Sequence, residues 1–174
     1  MARLSVTLAV VCCATLLGVS SSFAQDLRGG ARPIEHGPID VAQLTQRAGL
    51  VVHGSVTSKT TAWIGRVIYT LYDVSVQETL KGPPRPSVVI AVAGGARGNV
   101  RLTVPGAPDL QNGEELVVFA AALQGATFTP IGTVDGVVRV RPGNGRGSSA
   151  TVAPRGRPES LEDFLQEVRG HGGR

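Results

Sequence analysis

The sequence predicts an all-β, mainly antiparallel domain of about six to seven strands with a short helix at each end. Three observations carry that expectation. Gly and Pro occupy 23 and 11 of the 174 positions, a load that an all-helical bundle does not tolerate, because each costs stability in a helix interior. Hydrophobic residues make up 42% of the chain and charged residues 17%, a balance that excludes intrinsic disorder. Short β-type runs recur between turns bounded by Gly or Pro, without long helical segments between them. That is the pattern of an antiparallel barrel or sandwich, and not of a parallel α/β fold.

The N-terminal stretch, residues 1–24, reads as a signal peptide. Arg3 supplies the positive charge, Leu4 to Leu17 is apolar, and Ser22-Phe23-Ala24 places small residues where a signal peptidase cuts. The apolar run is shorter than the roughly 20 residues that a membrane-spanning helix needs, so the expectation is a cleaved, exported protein, periplasmic or secreted. Cleavage after Ala24 removes Cys12 and Cys13, the only cysteines. Disulfides, thiol catalysis and cysteine-based zinc sites go with them. What remains is about 150 residues, enough for one domain with its own core. With Arg3 removed the formal net charge falls from +4 to +3, too weak to imply nucleic acid.

Residues 25–38, with Gly29, Gly30, Pro33, Gly37 and Pro38, read as a flexible leader, and residues 39–141 as the β domain. Asp40 is an N-cap for a short helix on which Val41, Leu44 and Ala48 share a face, and Gly49 stops it. Leu50 to Thr57 is the first strand. The run from Ile64 to Leu80 alternates, with Ile68, Thr70, Tyr72, Val74 and Val76 on its more apolar face, until Lys81-Gly82-Pro83-Pro84 ends it. Ser87–Ala93, Asn99–Val104 and Glu114–Ala122 follow as strands, and Gly94-Gly95 is read as a turn or bulge needing positive φ. Thr127–Gly132 and Val137–Arg141 are expected to pair across Asp135-Gly136, a strong hairpin dipeptide. Residues 142–158, rich in Gly, Pro and Arg, read as a loop without structure. Residues 159–169 form a C-terminal helix with Leu161, Phe164, Leu165 and Val168 on one face and Ser160 and Asp163 as its cap; Gly170 ends it, and residues 170–174 are a fraying tail.

Chemistry-bearing patterns are sparse. His36, His53 and His171 are scattered without metal-ligand spacing, and no G-x-S-x-G elbow or S-x-x-K helix start is present. Glu114-Glu115 and Glu162-Asp163 have structural explanations beside a turn and at a helix start. No catalytic residue, metal site or cofactor is therefore assigned. The positions expected to bind a partner are Trp63, Tyr69 and Leu71, on or beside the long strand, and Arg146, Arg155 and Arg157 in the basic loop.

Several landmarks together carry a resemblance. They include Ala48-Gly49-Leu50-Val51-Val52-His53-Gly54-Ser55-Val56, Trp63, Val74 to Gly82, Gly94-Gly95, Pro105-Gly106-Ala107-Pro108 and Gly113 to Phe119. Over roughly residues 40–141 the chain resembles a widespread group of uncharacterised exported bacterial β-proteins. More distantly, the Leu80-Lys81-Gly82 step and the Gly113-to-Phe119 strand resemble the OB-type barrel of netrin and metalloprotease-inhibitor modules. The resemblance implies an OB-like barrel and transfers no catalytic residue. The inhibitors of that family chelate their target's metal through an N-terminal cysteine, which the chain lacks after cleavage.

The function expected from these features is that of an exported, non-enzymatic binding module. Its partner would be an exported protein or an anionic envelope polymer, with no nucleic acid and no membrane span after signal cleavage. The alternatives are a hydrolase with His53 as its base, and an envelope protein held by anionic polymer through the arginine loop.

Overall fold

The structure, a computed structural model, describes residues 40–132, 135–143, 149–154 and 158–172. The signal and leader segments, His36, Arg146, Arg155 and Arg157 lie outside the described residues. Helix α1 (Val41–Arg47) begins at Asp40, whose carboxylate accepts from the backbone N–H groups of Ala42 and Gln43. It stops before Gly49, as the sequence predicts. The rest of the described chain is mostly strand: β1 (Leu50–Ile64), β2 (Val67–Lys81), β3 (Ser87–Ala93), β4 (Gly95–Arg97), β5 (Val100–Leu102), β6 (Glu115–Gln124), β7 (Thr127–Pro130), β8 (Val137–Arg141), β9 (Thr151–Val152) and β10 (Glu159–Ser160). Helix α2 (Leu161–Gly172) closes the described chain.

The main sheet has eight strands in the order β1-β2-β3-β7-β6-β8-β9-β10, and β1 also pairs with β6. The ladders β1–β2, β2–β3, β6–β7 and β1–β6 are antiparallel, and β3–β7 is parallel. The series β1-β2-β3-β7-β6 thus returns to β1. Strands β4 and β5 form a separate antiparallel hairpin, opened by Gly94 and Gly95 at φ of 120° and 125°.

This ring explains why Leu50-Val51-Val52 and Leu116-Val117-Val118-Phe119 are unbroken apolar runs: both faces of β1 and β6 are covered along these stretches. Leu50, Val52, Leu116, Val118 and Ala120 join Tyr72, Val74, Val88 and Ile90 in a core to which all five ring strands contribute, β7 through Phe128. Their alternates Val51, Val117 and Phe119 join Val41, Leu44, Phe164, Leu165 and Val168 in a second core beneath the two helices. The alternation in β2 puts Ile68, Thr70, Tyr72 and Val74 on the buried face, as expected.

Four expectations are corrected. The run from Ile64 to Leu80 is not one strand, because Gly65 adopts φ of 61° and turns the chain so that Ile64 pairs with Val67. Thr127–Gly132 and Val137–Arg141 do not pair with each other. They lie end to end along β6, β7 against Ala120 to Gln124 and β8 against Leu116 to Val118. Phe119, between those stretches, bonds to Ile131 and Gly136 on either side of the intervening excursion. Residues 142–158 are not structureless throughout: Thr151–Val152 forms β9 between β8 and β10, and Val152 is buried with Val140. Helix α2 begins at Leu161 and passes through Gly170 to Gly172. Burial of Phe164, Leu165 and Val168 outweighs the roughly 1 kcal/mol that an interior Gly costs a helix. The predicted cap is present, since Ser160 Oγ donates to Asp163 Oδ2 at 2.7 Å and accepts from the Asp163 backbone N–H at 3.1 Å.

Candidate functional site

Trp63 stands just ahead of the Gly65-Arg66 turn and the long strand β2, as the sequence suggests. It lies inside β1, paired with Ile68, and is 48% exposed. Tyr69 and Leu71 point away from the ring core, pairing with Ala62 and Thr60 of β1 and with Ala93 and Ala91 of β3. Both are half-buried, and neither belongs to the two cores. Trp63 therefore lies toward the same end of the β1–β2 hairpin as Tyr69 and Leu71, but on the opposite face, that of Ile68. Ala62, Tyr69, Leu71, Ala91 and Ala93 make an apolar stretch of the outward face, bordered on the same side by Thr60 and by Asp73.

Residues missed by the sequence reading adjoin them. Among the described residues three large apolar side chains are exposed, Trp63, Val67 at 36% and Val100 at 49%. The β4–β5 hairpin that carries Val100 lies against β1: Thr61 Oγ1 donates to the Ala96 carbonyl at 3.0 Å, and Arg97 donates to the Thr61 carbonyl. The signal for Val67 was Gly65-Arg66, which separates two alternating runs and marks a hairpin turn.

His53 is 8% exposed, and its Nε2 lies 2.7 Å from Glu115 Oε1. Register places His53 opposite Glu78 on β2 and Val117 on β6. Glu78 accepts two bonds from Arg169 of α2, at 2.8 and 2.9 Å. The Arg169 hydrogen bond, with its charge and that of His53, holds the Glu78 carboxyl below its ordinary range. The histidine–carboxylate pair resembles the base and orienting group of a hydrolase, but a hydrolase also needs a nucleophile in reach. Among the described residues His53 bonds only to Glu115, and the nearby Ser55 hydroxyl accepts from Gln77. Of these polar pairs, Arg169–Glu78 joins α2 to β2, His53–Glu115 joins β1 to β6 and Gln77–Ser55 joins β2 to β1.

A second polar cluster caps the ring core. Tyr72 is 1% exposed; its hydroxyl accepts from the Leu110 N–H at 3.3 Å and lies 3.4 Å from Asp109 Oδ1. Lys59 pairs with Asp109 and lies over the Tyr72 ring. Burial pushes the Tyr72 phenol above its ordinary value, while the hydrogen bond from Lys59 lowers the Asp109 carboxyl. The neutral phenol thus accepts from the Leu110 N–H and donates to the Asp109 carboxylate. Tyr72→Phe leaves the Leu110 N–H without its partner and is expected to cost about 1–3 kcal/mol. Urea unfolding measures this directly, and an unchanged midpoint would refute the assignment.

Among the described residues no three His, Cys, Asp or Glu side chains converge as a metal site requires. No helix among them is long and apolar enough to cross a membrane. Comparison with known proteins finds no matching family model and no matching curated protein.

Proposed function

We propose that the protein is an exported, non-enzymatic binding module, that its ring of ladders is an OB-like barrel, and that it docks a partner protein on the outward face of β2. The observation that carries the docking face is the placement of Tyr69 and Leu71. Two large side chains stand on the outward face of β2 among the alanines of β1 and β3, and neither is used by either core. Aromatic and aliphatic side chains in such a setting are the anchors from which interfaces draw most of their energy. The barrel reading is supported by the return of the ladder series to β1 through the parallel β3–β7 pair. The expectation of export rests on the N-terminal sequence.

The test is a photocrosslinker placed at Leu71 in producing cells, with a second at Gln43 on α1 as a control. A discrete adduct from Leu71 that is absent from Gln43 is expected. Tyr69→Ser with Leu71→Ser should abolish that complex while leaving a cooperatively unfolding domain. Equal adducts from both sites, or a complex indifferent to the double substitution, would reject the face.

A further inference from the structure

We propose that the adjacent ends of the β1–β2 and β4–β5 hairpins form a contact surface for a bilayer of anionic phospholipid. The inference deepens the binding-module reading by adding a second partner, and it uses neither Tyr69 nor Leu71.

Its first support is apolar. All three exposed large hydrophobic side chains of the described residues, Trp63, Val67 and Val100, belong to these two hairpins. Exposed apolar groups gathered in one place mark contact sites, whereas scattered ones need no explanation. Tryptophan adds a specific preference, because its amphipathic ring favours the head-group level of a bilayer.

The second support is electrostatic. Arg66 occupies the β1–β2 turn, and Arg97 and Arg101 flank Val100. Neither the Arg66 nor the Arg101 side chain makes a hydrogen bond or ion pair among the described residues. Between Trp63 and Asp109 the carboxylates are Asp73 and Glu78, both farther along β2 and already engaged by Ser58 and Arg169. The two hairpin ends therefore carry guanidinium groups and no acid of their own, and guanidinium matches phosphate by paired N–H donors. A protein-binding surface would not require this one-sided charge.

Trp63 is the chain's only tryptophan, so its fluorescence reports on this surface alone. The full chain is titrated with vesicles of phosphatidylglycerol and phosphatidylcholine, with pure phosphatidylcholine vesicles, and with heparin as a soluble polyanion. The anionic vesicles should shift Trp63 emission to the blue, and 0.5 M salt should reverse the shift through screening. Arg66→Glu with Arg101→Glu, two exposed positions, should weaken vesicle binding at least about tenfold, since each basic residue near an anionic surface contributes on the order of 1 kcal/mol. Tyr69→Ser with Leu71→Ser should leave vesicle binding intact while removing the protein crosslink, which separates failure of this inference from failure of the docking face. An equal shift with neutral vesicles, a shift with heparin and none with vesicles, or sedimentation with vesicles while Trp63 emission stays unmoved would each overturn it.

Discussion

Gly54→Ala is expected to destabilise the domain by about 3 kcal/mol or more, the upper end of what overpacking costs. Gly54 sits at an irregularity in the β1–β2 ladder and pairs with Val76 on β2 and Leu116 on β6. A Cβ there would fall inside the van der Waals surface of the Ser75 carbonyl oxygen, 3.1 Å from its carbon and 3.0 Å from Val74 Cγ1. These are backbone and buried atoms, so neither can swing aside. Gly65→Ala is the internal comparison: at φ of 61° it has no neighbour within 4 Å, and its cost is the roughly 1–2 kcal/mol of left-handed backbone. Denaturant midpoints of the two variants decide the matter. Equal losses would show that close strand approach at Gly54 is not what the glycine provides.

Phe164→Ala is expected to cost about 3–5 kcal/mol, as a fully buried phenyl does when deleted. The ring packs edge-on to Phe119 at 6.3 Å between centroids and 76° between planes, and both belong to the core beneath the helices. Because that core is separate from the one inside the ring, the loss should appear first in α2. Hydrogen exchange should show α2 amides losing protection while those of β2 and β3 keep theirs. Uniform loss across all strands would mean the two cores unfold as one unit.

The candidate surface was only partly legible in the sequence. Tyr69 and Leu71 could be placed on the outward face of their strand because alternation assigns faces without knowledge of partners. Trp63 stands out as the lone tryptophan, but its strand does not, because the alternating run continues through Gly65-Arg66 and hides the turn between β1 and β2. Val100 could not be connected to Trp63: the link is a hairpin crossing onto β1 through Thr61, a contact 35 residues apart. His53 drew attention as a strand histidine, yet its carboxylate partner stands 62 residues away, beyond any local spacing rule.

What the sequence by itself determined is local. Asp40 and Ser160 cap their helices, Gly and Pro punctuate the strands, and period-two alternation sorts β2 into a buried and an outward face. Each follows from backbone sterics or a side chain's reach to its own neighbours, and each is as expected. Pairing was decided only by the tertiary structure. Asp135-Gly136 is a hairpin signal that makes no hairpin, because both flanking strands find a better partner in β6. Thr151-Val152 becomes a strand inside a Gly- and Pro-rich stretch because β8 offers a free edge and the helix core buries Val152. Strand edges and apolar faces are satisfied by whatever the fold brings to them, and that choice is made at distances a local pattern does not record.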